Sequence, residues 1–260
     1  MEVVILPSAS AIGEVVADAV VDVLSRRDTP VLGLATGSSP LPVYEALVWR
    51  YACGLVSFAR TRAFLLDEYV GLPPAHPQSY AACISRVFTS QVDFGPGTVM
   101  GPDGAAPDVA AAGPAYEAAI TAAGGIDVQL LGIGADGHIG FNEPGSSLAS
   151  RTRLKTLTAQ TRTDNARFFS SPEEVPRHVL TQGVGTILEA RHLVLIASGP
   201  GKAAAVAAAV EGPVTAMVPA SALQLHPHVS VVLDEPAALS LRLADYYRET
   251  YVNKPSWQRL

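Results

Sequence analysis

Short apolar runs alternate with longer segments of helical periodicity along most of the sequence. Residues 3–6, 31–35 and 192–197 have the length and apolar continuity of strands buried on both faces. Residues 11–26 and 203–210 repeat apolar positions at helical spacing. This alternation predicts an α/β fold, a single doubly wound, Rossmann-like domain over residues 1–260 with a mainly parallel sheet flanked by helices. Further strands are predicted at 63–66, 127–134, 152–157 and 229–233, and further helices at 41–51, 79–88, 107–122, 165–169, 176–188 and 237–247.

The stretch 127–144, DVQLLGIGADGHIGFNEP, joins one of these strands to the densest group of reactive side chains. Asp136, His138 and Glu143 fall within eight residues. The glycines of the stretch, Gly132 and Gly134 among them, let the backbone approach a bound ligand closely. An imidazole between two carboxylates, at the end of a buried strand, is typical of a catalytic loop.

Three other interpretations fit this loop less well. Gly132, Gly134 and Gly137 spell G-x-G-x-x-G, but a dinucleotide fingerprint should open a helix, whereas this loop runs into Pro144 and a basic segment. One His with two carboxylates matches neither the zinc nor the two-His-one-carboxylate pattern, so no metal is expected. A merely structural loop gives no reason for a His between carboxylates.

Two loops that follow predicted strands offer places for a phosphate group. Thr36, Gly37, Ser38 and Ser39 lead into a helix N-terminus, where backbone N–H groups and the helix dipole favour an anion. An ordinary helix cap explains the same residues equally well. Lys202, at the end of SGPGK, opens another helix and predicts a second phosphate contact. The likeness of SGPGK to a Walker A loop is superficial, so no nucleotide is implied.

Asp67 and Glu68 follow the predicted strand 63–66, at the edge of the sheet where ligands of open α/β folds bind. Neighbouring residues in an extended chain point to opposite sides, so at most one of the two carboxylates faces a cleft. A solvated turn is the alternative.

Three cations alternate along the predicted strand 152–157. Arg151, Arg153 and Lys155 share one face by the period-two rule. Such a face suits an anion, and structural salt bridges are the alternative interpretation.

Composition narrows the class of protein. A hydrophobic content of 48% with 16% charged residues indicates a well-buried globular chain. The net charge of −6, without a basic block, disfavours a nucleic-acid partner. Two cysteines are too few for a disulfide framework and suit the reducing cytoplasm. No stretch has the length of a membrane span, and none resembles a targeting signal, so no membrane partner is expected.

The motifs together resemble the glucosamine-6-phosphate deaminase family, whose fold is shared with 6-phosphogluconolactonases. The resemblance covers nearly the whole chain. Two segments depart from the family pattern: SGPGK before Lys202 and MVPASAL at 217–223. The matching segments are ATGSSP, LLDEYVGL, HPQSY, GGIDVQLLGIGADGHIGFNEPGSSLASRTRLKTLT, NARFF, TQGVGTIL and LQLHP.

The resemblance implies conversion of glucosamine 6-phosphate to fructose 6-phosphate and ammonia. Asp67 would be the enolisation base, and Asp136, His138 and Glu143 would serve ring opening, with the carboxylates of Asp136 and Glu143 orienting the imidazole and fixing its tautomer. A histidine suits this step because it titrates near neutrality. No cofactor is needed, since the carbonyl of the opened sugar accepts the electrons.

The same resemblance assigns the binding sites. Ser38, Ser39, Arg167 and Lys202 would hold the 6-phosphate, far from the reacting carbons. Lactone hydrolysis, which has no task for an enolising Asp67, and a non-catalytic sugar-phosphate sensor are the alternative functions.

A regulatory site is implied as well. Ser146, Arg153 and Lys155 resemble the pocket for the effector N-acetylglucosamine 6-phosphate in hexameric members of the family, and Tyr246 matches the tyrosine that closes it. Because such a pocket lies between subunits, a homo-oligomer is expected.

Overall fold

Two β-sheets organise the computed structural model, which describes residues 1–73, 75–166, 169, 171–255 and 257–260. The predicted apolar runs form strands whose boundaries lie within one residue of those expected, except that the strand predicted at 127–134 ends three residues earlier, at Leu131. The strands are β1 (Glu2–Leu6), β2 (Val31–Leu34), β3 (Arg62–Leu65), β4 (Asp67–Tyr69), β5 (Val99–Met100), β6 (Val128–Leu131), β7 (Arg153–Thr156), β8 (His178–Thr181), β9 (His192–Ala197) and β10 (Val229–Asp234).

The larger sheet has seven parallel strands in the order β1-β10-β9-β6-β2-β3-β5. From β2 the chain proceeds outward through β3 and β5, then returns to β6 on the other side of β2. The strand order therefore reverses between β2 and β6. Ligands of open α/β sheets bind in the crevice at such a switch point, outside the carboxyl ends of the strands. The predicted α/β class with a mainly parallel sheet is confirmed.

Helices flank this sheet, and several of them are stabilised by hydrogen bonds from backbone N–H groups of the first turn to the side chain of the N-cap residue. Ser8 accepts a hydrogen bond from the Ala11 N–H at the start of one helix, and Asp108 accepts two from Ala110 and Ala111 at the start of another. Within the described residues none of the helices is long and apolar enough to cross a membrane. The helices are α1 (Ala9–Arg26), α2 (Leu41–Ala52), α3 (Tyr80–Val87), α4 (Val109–Ala122), α5 (Ala159–Asn165), α6 (Val184–Ile187), α7 (Ala203–Val210) and α8 (Ala244–Val252).

The smaller sheet was not expected from the sequence. β4, β8 and β7 pair antiparallel in that order. The predicted helix at 176–188 is wrong, because this segment holds β8 and only the short α6. The sheet branches from the larger one at Leu66, whose N–H donates to Leu34 O and whose carbonyl accepts from the Gln182 N–H. Asp67 is thereby the first residue of the smaller sheet.

Two other helix predictions need correction. Of the helix predicted at 165–169, Asn165 is the last residue of α5 and Ala166 is its C-cap, while residues 167 and 168 lie outside the described part of the chain. The last helix is α8, which begins seven residues later than the predicted start at 237 and follows a single 3-10 turn at Pro236–Ala238.

Candidate active site

Glycine turns shape the loop after β6. The Gly137 N–H donates to Gly134 O at 3.0 Å, and the Gly134 N–H donates to His138 O at 2.9 Å. Gly137 has a φ of +84°, a conformation that glycine adopts without strain. A Cβ on Gly134 would lie 2.1 Å from His138 Cε1, so the absence of a side chain there makes room for the imidazole ring.

Asp136 fixes the His138 ring. His138 Nδ1 lies 2.6 Å from Asp136 Oδ1, and the His138 backbone N–H donates to the same oxygen at 3.2 Å. A carboxylate at Nδ1 favours the tautomer that carries its proton there, which leaves Nε2 as the basic nitrogen. Both side chains are partly exposed, so a ligand can reach the ring. This arrangement is a general base oriented by an acid.

Glu143 is buried and has other partners. Its Oε1 accepts hydrogen bonds from Thr158 Oγ1 at 3.2 Å and from Thr161 Oγ1 at 2.5 Å. Both threonines belong to the N-terminal end of α5. Of the two carboxylates expected to orient the imidazole, Asp136 contacts it, whereas the described hydrogen bonds of the Glu143 carboxylate are to Thr158 and Thr161.

Asp67 is a buried carboxylate beside this loop. Burial, together with the neighbouring charge of Glu68, raises the pKa of Asp67 to about 8. Among the described residues none donates a hydrogen bond to its side chain. A Cβ on Gly140 would lie 3.7 Å from Asp67 Oδ2, so the loop backbone passes next to the carboxylate. A carboxylate that titrates near neutrality and lacks donors is well suited to accept a proton from a ligand.

Glu68 points the other way, as the extended backbone predicts. Its two oxygens accept hydrogen bonds at 2.9 Å from the backbone N–H groups of Tyr69, Tyr80 and Ala81. The last two lie in the first turn of α3, where a negative charge also favours the helix dipole. Of the adjacent pair, only Asp67 faces the catalytic loop.

The loop at 36–40 lies next to the end of β6. A Cβ on Gly132 would lie 3.9 Å from both Cβ and Oγ of Ser39, which brings the two loops into contact. Thr36 and Ser39 are half-buried, Gly37 and Ser38 are exposed, and Gly37 has a φ of +96°. The first turn of α2 has no side-chain cap, and its N–H groups donate to backbone carbonyls: Leu41 to Ser38 O at 3.4 Å, and Val43 and Tyr44 to Pro40 O at 3.0 and 3.1 Å.

The Lys202 loop is the second predicted phosphate contact. Asp234, the last residue of β10, holds the loop through Ser198 Oγ and the Gly199 N–H. Lys202 is half-buried at the start of α7, which follows β9 at the carboxyl edge of the sheet. Arg167, the other predicted cation, lies outside the described residues.

The predicted anion face has two cations, not three. Arg151 precedes β7 and forms ion pairs with Glu117 and Glu189, which corrects its expected place on the strand. Arg153 and Lys155 do alternate on the half-buried face of β7. Of the three cations, Arg151 is therefore engaged in structural salt bridges, the alternative to an anion site.

Ser146 lies in the segment that follows the catalytic loop. Its Oγ is buried without a hydrogen-bond partner in the described part of the chain. Tyr246 lies elsewhere, exposed on α8, which packs against the edge strand β1. Its ring contacts Tyr247.

Asn142 is a site residue that the sequence did not reveal. It is fully buried, and its Nδ2 donates to Ile139 O at 2.9 Å and to Gln182 O at 2.8 Å. Arg153 Nη1 donates to Asn142 Oδ1 at 3.0 Å. Asn142 therefore ties the catalytic loop to the end of β8 and to Arg153. Its only sequence signal is its place beside Glu143.

Comparison with known proteins gives consistent results. The family model for glucosamine-6-phosphate isomerases/6-phosphogluconolactonase matches residues 7–232. A glucosamine-6-phosphate deaminase of Arthrobacter sp. (strain FB24) is 63% identical, with 100% of each chain covered. One of Mycolicibacterium smegmatis (strain ATCC 700084 / mc(2)155) is 62% identical, with 99% of each chain covered.

Solved structures show the same relationship. A structure described as a monomeric glucosamine-6-phosphate deaminase has a TM-score of 0.90 at 40% identity, over 92% of this chain and 100% of that chain. 6-phosphogluconolactonase from Trypanosoma cruzi has a TM-score of 0.75 at 20% identity, over 93% of this chain and 97% of that chain. The second likeness concerns the fold alone.

Proposed function

The chain belongs to the family of glucosamine-6-phosphate isomerases and 6-phosphogluconolactonases, and we propose that its reaction is the conversion of glucosamine 6-phosphate to fructose 6-phosphate and ammonia. Full-length relatives at 61–63% identity are named for this deaminase activity. The observation that carries the choice is Asp67, a buried carboxylate beside the catalytic loop to which no described residue donates a hydrogen bond. Lactone hydrolysis gives such a base no task.

Ring opening is the first step. The closed pyranose has no free aldehyde, so a proton must leave the O1 hydroxyl and another must reach the ring oxygen. His138 can move this proton through Nε2, because Asp136 occupies the other ring nitrogen. Asp136 also stabilises the ring when it carries both protons. We assign Glu143 to the same step, as a fixed carboxylate on the same loop.

Enolisation follows in the open chain. The C1 aldehyde acidifies the C2 proton, which Asp67 accepts. The C2–H bonding electrons form a C1–C2 double bond, and the aldehyde oxygen takes a proton from the 2-ammonium group of the substrate and becomes a hydroxyl. Asp67 then returns its proton to C1, which leaves an imine at C2. Water adds to that imine and ammonia leaves, so that the product is a ketose. Because the pKa of Asp67 is near neutrality, its carboxylate can accept the proton from C2 and its carboxylic acid can donate that proton to C1.

The phosphate end positions the reacting carbons. We assign it to the loop of Thr36, Gly37, Ser38 and Ser39, together with Lys202. These groups surround the switch point, where the loop leads into the N-terminus of α2 and the helix dipole favours an anion. Gly132 lies against Ser39 of this loop, and Gly134 makes room for the His138 ring. Binding energy far from C1 and C2 can be used to orient them.

Arg167 completes the proposed phosphate site. It stands two residues after Asn165, the last residue of α5, and α5 also contacts Glu143 through Thr161. A bidentate guanidinium suits a phosphate group.

Parallel assays on two substrates test the proposed reaction. Glucosamine 6-phosphate should yield fructose 6-phosphate and ammonia in equal amounts, each measured by a coupled dehydrogenase. 6-Phosphogluconolactone should not be hydrolysed faster than in buffer. Hydrolysis of the lactone without release of ammonia from glucosamine 6-phosphate would show that this protein is a 6-phosphogluconolactonase instead. Binding of sugar phosphate without turnover of either substrate would indicate a sensor.

We place this reaction in the cytoplasm. Cys53 and Cys83 are free thiols, and Cys53 is exposed. Exposed thiols persist in a reducing compartment. Detection of the native protein in the soluble fraction, rather than with envelope proteins, tests this placement.

A regulatory anion site at Ser146, Arg153 and Lys155 is a second proposal. It is supported by the unpartnered Ser146 hydroxyl and by the hydrogen bond from Arg153 to Asn142, through which an anion could act on the catalytic loop. Tyr246 would close the pocket from a neighbouring subunit, because within one chain it lies by β1. A coupling of roughly 1–3 kcal/mol would raise substrate affinity several-fold or more.

Two measurements test this regulation. Substrate saturation curves with and without N-acetylglucosamine 6-phosphate should differ in the wild type and coincide in Arg153→Ala with Lys155→Ala. Light scattering should show an oligomer, in contrast to the relative described as monomeric. A hyperbolic wild-type curve that the effector leaves unmoved would remove the regulatory proposal and leave the catalytic one standing.

A further inference from the structure

Two threonine hydroxyls converge on one oxygen of Glu143. Thr161 Oγ1 donates to Glu143 Oε1 at 2.5 Å, and Thr158 Oγ1 donates to the same oxygen at 3.2 Å. The hydroxyls also lie 2.9 Å from each other. We call this arrangement of Glu143, Thr158 and Thr161 the hydroxyl clamp.

Helix formation alone does not explain the clamp. Thr158 caps α5 by accepting a hydrogen bond from the Thr161 N–H at 3.2 Å, a contact that needs no Thr161 hydroxyl. Thr163, on the same helix, shows the ordinary behaviour of a helical threonine. Its Oγ1 donates to Ala159 O at 2.9 Å, one turn back, and it is exposed. The Thr161 hydroxyl instead leaves its own helix and reaches a buried carboxylate eighteen residues earlier in the chain.

The backbone near Glu143 adds few constraints on its carboxylate. The Asn142 side chain makes three hydrogen bonds and its backbone N–H donates to Ile139 O, and Gly145 is anchored by donation of its N–H to Ala216 O. Those contacts fix the main chain on either side. In the described residues, the hydrogen bonds to the Glu143 carboxylate itself come from Thr158 and Thr161. The rotamer of Glu143 is therefore set from α5.

We propose that Thr161, supported by Thr158, is a positioning residue for ring opening: its hydroxyl holds the Glu143 carboxylate at the sugar and couples that carboxylate to the placement of α5. The inference rests on the proposed function and deepens it. Because both hydroxyls belong to the N-terminal end of α5, the placement of α5 sets the orientation of Glu143.

Thr161→Val is the test variant, since valine keeps the shape of threonine and removes only the hydroxyl. Thr161→Ser restores the hydroxyl, and Thr163→Val removes an unrelated hydroxyl from the same helix. Each is assayed by ammonia release from glucosamine 6-phosphate and from its 4,5-dideoxy analogue, which has no hydroxyl able to close a five- or six-membered ring. Thermal unfolding of each variant reports on the fold.

Loss of a hydrogen bond to a charged group predicts that Thr161→Val lowers kcat/KM for glucosamine 6-phosphate by roughly 10- to 100-fold. The acyclic analogue should lose less than about threefold, because the ring-opening step is absent. Thr161→Ser should recover most of the activity, and Thr163→Val should match the wild type. In a Glu143→Gln background, Thr161→Val should have little further effect on the closed-ring substrate.

Equal losses on the closed-ring and acyclic substrates would overturn the proposal, as would wild-type activity of a folded Thr161→Val. The proposal would also be overturned if the effects of Thr161→Val and Glu143→Gln on kcat/KM were fully additive in the double variant. This test remains valid even if Thr161→Val lowers the unfolding temperature. A wild-type protein that releases no ammonia from glucosamine 6-phosphate would instead contradict the proposed function. The two failures are therefore distinguishable.

Discussion

The Asp67 carboxylate and the Gly140 backbone lie side by side, with Asp67 Oδ2 only 3.7 Å from where a Cβ on Gly140 would stand. Asp67 belongs to the antiparallel sheet, and Gly140 belongs to the loop that follows β6 of the parallel sheet. The two sheets therefore meet at the proposed proton-transfer site. Gly140 has a φ of +55°, and a side chain there would also meet Thr181 Oγ1 at 2.9 Å. A glycine is needed for this approach.

The pKa of Asp67 should set the acid limb of the pH–rate profile. Burial and then the charge of Glu68 raise this pKa to about 8, so kcat/KM should fall as pH drops below that value and the base is protonated. Glu68→Gln removes the charge but keeps an acceptor for α3, and should move the limb to lower pH. Protonation of the substrate cannot cause a difference in the acid limb between the wild type and Glu68→Gln, because both proteins are assayed with the same substrate. An acid limb at the same pH in Glu68→Gln would contradict the assignment to Asp67.

His138→Gln should slow the closed-ring substrate far more than the acyclic 4,5-dideoxy analogue. The reason is that the Asp136-oriented imidazole acts in ring opening, which the analogue bypasses. A loss of about 10²–10⁴-fold on glucosamine 6-phosphate is expected for a positioned acid–base group. Steady-state ammonia release measures both substrates. Equal losses would place His138 at the enolisation step.

Lys202→Ala and Arg167→Ala should chiefly weaken binding at the phosphate end. Each removes a cation and leaves the acid–base residues in place. Inhibition by sorbitol 6-phosphate, which has no carbonyl and cannot react, isolates binding from turnover. Lys254→Ala is the matched control, because Lys254 pairs with Glu2 at the opposite edge of the sheet. Unchanged inhibition constants in both test variants would mean that the phosphate binds elsewhere.

The sequence predicted strands well where burial on both faces leaves a continuous apolar run. β9 and the helix that follows it, α7, have the predicted boundaries. β8 was missed because its HVLT is short and half-polar, and its strand character depends on pairing with β4 and β7. Tertiary pairing of this kind leaves no periodic signal in the sequence.

The site was predictable in its residues and less so in its contacts. Asp67, Asp136, His138 and Glu143 stand out by residue type and position. Spacing does not specify partners, because side-chain rotamers and the arrival of α5 decide them. The expected contact of Asp136 with His138 is present, whereas Glu143, also expected to orient the imidazole, is held by Thr161.

A stacked histidine pair far from the active site should make the fold sensitive to acid. Burial, then the charges of His228, His226 and Lys254, lowers the pKa of His192 to about 3, and its ring stacks on His228 at 3.7 Å. The unfolded chain binds a proton near pH 6.5, so the unfolded state takes up more protons below that pH. The free energy of unfolding should therefore be highest above about pH 6.5 and decrease towards pH 4, by at most about 1.4 kcal/mol per pH unit from this group.

Denaturant unfolding from pH 7.5 to 4.5 measures this dependence. His192→Asn should flatten it, because asparagine takes up no proton in either state. His178→Asn, outside the stacked cluster, should leave the slope unchanged. A slope that is the same in His192→Asn and in the wild type would show that other groups cause the acid sensitivity.

Release of deuterium from [2-²H]glucosamine 6-phosphate, followed by NMR together with ammonia formation, tests most directly whether Asp67 is the enolisation base. In the wild type the label should leave C2 in every turnover, appear at C1 of fructose 6-phosphate or in water, and accompany one ammonia per ketose. Asp67→Asn should keep the fold and slow loss of the label by about 10²–10⁴-fold. Loss of the label from C2 at the wild-type rate in a folded Asp67→Asn variant would contradict the assignment of the base.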